Sequence, residues 1–334
     1  MKKTPIILTG VLALCLTACN QDIAPVSIPQ SPATRGDVTF TFDDGSAATR
    51  STTAASETAV NSLQICVFNS SGTLDACGNA SSNSMTLSVS TGQTMTVYAV
   101  VNSSVELAFV SDITSFRNKV SYLEDNSLSE LEMIGSVSQT LSAGASVTIP
   151  VTRNVAKVEL DAVTPAFTSA AHSGLVFKIK SIYLINACGS CDLTQTPKTD
   201  LWYNKTKYVA GDFDALLYDS VNADRITASS PYRTPHYFYA YPNSTTSDTS
   251  SKTWSPRYTR LVVETSLGGT TYYYPINIIG SNGKMDANHL YRISNLKITG
   301  LGSTDPDIPL KKGAADFTVT VVDWENGFNR EETL

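Results

Sequence analysis

The chain has 334 residues, with 24 Lys+Arg against 30 Asp+Glu and a net charge of −6. It lacks the excess of basic groups that a nucleic-acid binder needs to meet phosphates. Its 42% hydrophobic content suffices for buried cores, which excludes wholesale disorder, and its length points to two domains. Ser and Thr contribute 40 residues each, and only 16% of residues are charged, a balance that favours β structure with many turns.

Lys2 and Lys3 precede an apolar run from Pro5 to Leu16 that is too short to span a bilayer, so residues 1–18 are expected to be a signal peptide. The run ends in Leu16-Thr17-Ala18-Cys19, which resembles a lipobox, and the Cys19 sulfur is expected to carry the lipid. Acyl chains contribute about 0.8 kcal/mol per buried methylene, enough to hold a lipidated chain on a membrane. After Cys19 comes a polar stretch with Pro25, Pro29 and Pro32, expected to be a tether.

Strand signals then dominate. Val38-Thr39-Phe40-Thr41-Phe42, Met85-Thr86-Leu87-Ser88-Val89 and Val147-Thr148-Ile149-Pro150-Val151 alternate apolar and polar residues, as half-buried strands do. Turn-forming clusters separate them, for instance Asn69-Ser70-Ser71-Gly72. Over Ile113–Met133 the apolar spacing predicts one or two short helices. Further strands are predicted near 153–160, 176–185, 236–241, 261–265, 271–278, 290–298 and 317–322, with a loop-rich interval at 186–235. The division falls at about residue 152, giving two antiparallel β-sandwich-like domains, 51–152 and 153–334.

Apart from Cys15 and Cys19, four cysteines remain: Cys66, Cys77, Cys188 and Cys191. An even remainder in an exported chain favours two disulfides, most economically Cys66 with Cys77 and Cys188 with Cys191. The Cys188-Gly189-Ser190-Cys191 spacing also fits a redox motif or half a zinc site, but no second pair stands at zinc spacing and His172, His236 and His289 are scattered, so structural disulfides or inert thiols are expected. No enzyme motif is present, neither G-x-S-x-G, P-loop nor H-E-x-x-H, and no cofactor or metal is expected. Asp43-Asp44-Gly45 and Asp305-Pro306-Asp307 lack the ligand count of a calcium loop and are expected to be solvated turns. Tyr237, Tyr239, Tyr241 and Tyr272-Tyr273-Tyr274 stand at strand spacing, which favours cross-strand pairing over sugar stacking.

Several segments together resemble the fimbrillins, the lipoprotein pilus subunits of Bacteroidota that build type V pili. They are the lipobox at Cys19, Val97-Tyr98-Ala99-Val100-Val101-Asn102, Leu131-Glu132-Met133-Ile134-Gly135 and Val151-Thr152-Arg153-Asn154-Val155-Ala156-Lys157-Val158-Glu159. Tyr237-Phe238-Tyr239-Ala240-Tyr241-Pro242-Asn243, Asn288-His289-Leu290-Tyr291-Arg292-Ile293, Leu296-Lys297-Ile298-Thr299-Gly300-Leu301-Gly302 and Phe317-Thr318-Val319-Thr320-Val321-Val322-Asp323-Trp324 continue the pattern. The resemblance implies an all-β protein of two transthyretin-like sandwiches with one or two short helices in the N-terminal domain. It further implies export as an outer-membrane lipoprotein, cutting by a trypsin-like surface protease, and loss of the first strand to open a groove filled by a strand of the next subunit.

Residues 19–50 would then be a tether plus a removable strand whose Val38, Phe40 and Phe42 fill the groove. The segment Ser46–Ser56 is small and polar with a single arginine, so the cut is expected between Arg50 and Ser51; a cut at Arg35 would leave the strand attached. Loss of residues 1–50 leaves the net charge at −6. The donor is expected at Phe317, Val319, Val321 and Trp324, because few apolar residues follow Trp324. Expected partners are other pilus subunits, the protease, the outer membrane and a surface ligand. The alternatives are a monomeric glycan-binding surface lipoprotein or a tip or anchor subunit.

Overall fold

Alternating apolar and polar residues make strands throughout the computed structural model, which describes residues 34–44, 55–198, 200–206, 214–246, 253–324 and 329–331. The N-terminal half contains β1 (Arg35–Asp43), β2 (Leu63–Phe68), β3 (Leu74–Ala80), β4 (Ser84–Ser90) and β5 (Thr94–Val101). It continues with β6 (Val120–Tyr122), β7 (Met133–Thr140), β8 (Ser146–Pro150) and β9 (Thr152–Arg153). Five of these form a sheet in the order β3-β2-β5-β7-β9, and three form a second, β4-β1-β8. Between the sheets lie Val38, Phe40, Ile65, Val97 and Ile149, all fully buried.

Strands β2 and β5 bury both faces, because a second apolar layer covers the far side of the five-stranded sheet. There Phe68, Tyr98 and Phe116 meet edge-on or tilted at 4.5–6.1 Å, a geometry that aromatic quadrupoles favour. Phe116 comes from helix α1 (Ile113–Arg117). Asp112 starts α1 with a capping box: its carboxylate accepts from Thr114 N and Ser115 N at 2.9 and 2.8 Å, and these bonds hold it below the usual carboxylate range. Only α1 and a turn at Leu123–Asp125 are helical in the stretch where short helices are predicted; β6 separates them. The apolar spacing there serves two cores, Phe116 in the aromatic layer and Leu123 and Leu131 in the C-terminal core.

The C-terminal half contains β10 (Ala156–Leu160), β11 (Val163–Pro165), helix α2 (Ala170–Ser173), β12 (Phe177–Ile185), β13 (Ala187–Cys188), β14 (Ser190–Asp192) and β15 (Trp202–Tyr203). Then come β16 (Tyr218–Ala223), β17 (His236–Ala240), β18 (Arg260–Leu267), β19 (Thr270–Asn277) and β20 (His289–Ile293). The last are β21 (Leu296–Ile298), β22 (Ala315–Asp316), β23 (Thr320–Asp323) and β24 (Asn329–Glu331). Helix α2 places a helix in this half too, beyond the sequence expectation of helices in the N-terminal domain alone. Sheets β17-β10-β20-β23-β24 and β16-β12-β18-β19 both contribute to the main core.

A bulge in β12 between Ile179 and Ser181 explains a break in alternation. Phe177 and Ile179 face the main core, and after the extra residue Ile182 and Leu184 do. The reverse face carries Tyr183, Ile185 and Val262. Asp305-Pro306-Asp307 is not a solvated turn: Asp307 is 5% exposed and its carboxylate pairs with the buried Arg257 and Arg260. Two guanidiniums offset the desolvation of that carboxylate, which alone would be costly.

The halves meet through hydrogen bonds as well as packing. Strand β14 pairs antiparallel with β6. Beside this pair the buried Glu132 accepts from Ser103, from Ser121 at 2.7 Å and from Asn154, while Asn126 Nδ2 donates to Tyr241 OH at 3.1 Å. Among the described residues no cation pairs with Glu132, so burial pushes its carboxyl above the usual range despite these donors. A raised carboxyl favours folding while protonated, and the advantage is lost as pH rises through its folded pKa. Thermal melts should therefore show a stability gain on moving from pH 8 to pH 5.5 that is smaller in Glu132→Gln. Equal gains in both proteins would remove Glu132 as the source.

Candidate functional site

The first strand is the middle of a sheet. β1 runs antiparallel to β4, with Val38 opposite Leu87 and Phe40 opposite Met85, and parallel to β8, with Phe40 opposite Val147 and Phe42 opposite Ile149. Thr39 N donates to Ala145 O at 2.9 Å and Val151 N to Asp43 O at 2.8 Å, which brackets the part of β1 that pairs with β8, Thr39 to Asp43. Val38 and Phe40 are completely buried and Phe42 packs partly buried against the same core. Burying such side chains contributes about 1.5–3 kcal/mol each. Outward threonines form ladders instead: Thr39 with Thr86 at 2.9 Å and Thr41 with Thr148 at 3.1 Å.

Gly36 has the same parity as Val38, Phe40 and Phe42 and occupies a position with no room for a side chain. A Cβ there would stand 2.5 Å from Ala143 Cβ. The slot of β1 thus asks for no side chain at its first inward position and for bulky groups at the next three. Arg35 begins the strand, its guanidinium 3.3 Å from Asp75 Oδ1 and bonded to Ser88 O. A cut after Arg35 would leave Gly36–Asp43 inside the sheet. Cys19, Arg50 and Ser51 lie outside the described residues, and so does the Ser46–Ala54 part of the expected processing segment.

The C-terminal candidates sit in the chain's own core. Val319 is completely buried and Trp324 8% exposed, while Phe317 and Val321 pack partly buried against the same cluster. The paired strand starts only at Thr320, with β20 on one side and β24 on the other. Tyr237 is 42% exposed, but Tyr239 stacks on Trp324 and Tyr241 is buried, so the tyrosine run is mainly internal packing.

Cys66 and Cys77 form a disulfide across directly opposed positions of β2 and β3. The expected Cys188–Cys191 disulfide is absent, and both thiols are free and buried. Their strands pair with different partners, β13 with β15 and β14 with β6, so pairing and core packing hold each cysteine in place. Cys188 Sγ donates towards Ser190 O and Lys198 O at 3.2 and 3.1 Å. Burial pushes the Cys188 thiol up to about 11 and that of Cys191 higher, the opposite of a reactive redox pair. Among the described residues no group of three or more His, Cys, Asp or Glu side chains is placed to hold a metal.

Comparison with known proteins now bears on this arrangement. Residues 37–166 match the family model of the major fimbrial subunit protein (FimA). Over that stretch the chain is similar to the fimbrillins. The matched stretch begins within β1 and ends after β11, so it takes in the whole slot of the first strand. A fimbrilin from Porphyromonas gingivalis W83 superposes with a TM-score of 0.67 at 16% identity, covering 86% of this chain and 97% of that one. A "putative cell adhesion protein" from Bacteroides eggerthii DSM 20697 gives 0.66 at 18% identity over 88% and 97%. Another so described, from Parabacteroides distasonis ATCC 8503, gives 0.62 at 19% over 87% and 100%. At these identities the likeness is one of fold. No curated protein matches the sequence.

Two measurements follow from the slot and the thiols. Gly36→Val should cost about 1–3 kcal/mol in urea denaturation by overpacking, whereas Thr39→Val on the outer face should stay within about 0.5 kcal/mol of wild type. Equal losses would mean that the Gly36 contact relaxes freely. In alkylation mapped by mass spectrometry, Cys188 and Cys191 should react only after denaturation and without reductant, and Cys66 and Cys77 only after reduction. Protection of Cys188 and Cys191 in unreduced, denatured protein would restore the second disulfide.

Proposed function

We propose that the chain is a pilus subunit of the cell surface, exported as a lipoprotein through Cys19, cut between Arg50 and Ser51, and polymerised when a strand of a neighbouring subunit takes the place of β1. The observation that carries this reading is the position of β1: a strand that precedes residues 45–54 in the sequence forms the middle of a sheet and fills its core with Val38 and Phe40. Its removal would leave two ladders of unpaired backbone groups facing one apolar slot, which an extended segment of another subunit can pair and fill. While attached, β1 covers those edges and keeps the precursor from pairing indiscriminately. The partners in this reading are other pilus subunits, a trypsin-like surface protease and, before the cut, the outer membrane.

A second reading has its own support. Because Val319 and Trp324 are built into the chain's own core, giving up β23 as a donor would dismantle part of the C-terminal sheet. A tip or anchor subunit, which accepts a strand and donates none, has no such cost.

The deciding observation is the N-terminal residue of protein recovered from the cell surface. Stalk subunits should begin at Ser51, and Arg50→Ala should stay monomeric with trypsin present while cut wild type forms detergent-resistant ladders. A surface form that retains acylated Cys19 would replace the stalk reading with an anchor or monomeric binder. Ladders from Arg50→Ala would refute cleavage-gated assembly.

A further inference from the structure

Beyond residue 54 the chain makes a helical turn at Ala55–Thr58, and its acidic residue does not face solvent. Glu57 is 2% exposed. Its carboxylate reaches the C-terminal sheet, where Oε1 accepts from Tyr239 OH at 2.7 Å and meets Lys157 Nζ at 2.8 Å. Lys157 and Tyr239 are directly opposed on β10 and β17, so one ladder position supplies both partners. The backbone of the same residue is engaged too, since Glu57 O accepts from Arg153 Nη2 at 3.3 Å.

Both routes lead on to Trp324. Tyr239 stacks on its indole at 5.9 Å with 8° between the planes, and the Arg153 guanidinium lies over the same ring at 4.7 Å. Trp324 directly follows β23, and its backbone N–H donates to Asn288 O at 3.1 Å, the asparagine whose Oδ1 accepts from Arg153 N at 3.2 Å. A carboxylate this deeply buried holds its place only through such partners, and removing it strands them in turn. Without Glu57 the largely buried Lys157 keeps Glu159, 4.0 Å away, and the Tyr237 ring at 4.9 Å, while Tyr239 loses the bond that fixes its ring against Trp324.

We propose that Glu57 is the catch of an intramolecular clasp: it ties the turn that follows residue 54 to the end of β23, so that loosening either loosens the other. The coupling is reciprocal because both segments are bound to the same pair of side chains. A use for it in assembly rests on the strand-exchange reading, in which the clasp would keep β23 in its own sheet until the segment beyond the cut is drawn away. The clasp itself belongs to the uncut monomer.

Hydrogen exchange on the uncut full chain tests it without reference to polymers. In Glu57→Ala the amides of Val321 to Asp323 should exchange at least about tenfold faster than in wild type, as loss of one partner from a buried pair implies. Ile65 and Val97 should keep wild-type rates, and Glu159→Ala, which removes the other acid facing Lys157, should leave β23 protected. Unchanged exchange at β23 in Glu57→Ala, or the same acceleration in Glu159→Ala, overturns the clasp. Should Glu57→Ala fail to fold, Trp324→Leu gives the reciprocal measurement: a glutamate-specific protease should leave the Glu57–Thr58 bond of wild type intact and cut it in Trp324→Leu. Equal resistance overturns the clasp. Failure of cut wild type to polymerise would count against strand exchange alone.

Discussion

Among the described residues, β4 and β8 of the N-terminal half are joined in one sheet only through β1. Among the described residues neither has another neighbour in that sheet, so β1 is the strand that makes a sheet of the other two. Backbone pairing and side-chain burial act together here: the ladders hold β1 in register, and the register turns Val38, Phe40 and Phe42 towards Ile65, Val97 and Ile149. A slip of one residue would turn the threonines inward, which the apolar core forbids. Gly36 sharpens the same constraint, because only one position along the strand tolerates the approach of Ala143.

Buried carboxylates mark the places where the two halves and their covering loops are tied, and each is handled differently. Asp307 receives two guanidiniums. Glu57 receives an ammonium and a phenol. Glu132 receives only hydroxyl and amide donors, and burial pushes its carboxyl up. Because a buried charge without a partner is costly, such groups restrict the junction to arrangements that bring all their donors together.

Local pattern made β1, β4 and β8 legible in the sequence, since period-two alternation depends only on which face is buried. It could not reveal that β1 lies between β4 and β8, because a parallel pairing across more than a hundred residues leaves no local signature. The stretch 113–133 was legible as short helical pieces, α1 and the turn at Leu123–Asp125, but not β6 between them, because its apolar residues are divided between two cores. Cys66 and Cys77 were legible as a pair because a hairpin brings close neighbours in sequence face to face. Cys188 and Cys191 were not, because their strands are claimed by separate partners. Local pattern does not mark Glu57 or Glu132 as buried acids; the one available hint is their place near apolar residues, Val60 and Met133. The C-terminal strand was visible, but whether it serves its own sheet or another's is a matter of tertiary pairing that alternation cannot express.

The placement of β1 also sets how the molecule bears load. Ladder hydrogen bonds lie across the strand direction, and β1 is bonded along both edges, to β4 on one side and β8 on the other. Traction applied at Arg35 along the strand axis therefore strains the two ladders in shear, so that many bonds resist at once instead of parting one after another as in a peeled hairpin. A strand held in this way is hard to withdraw by pulling along its axis, because no single bond has to fail before the next is loaded.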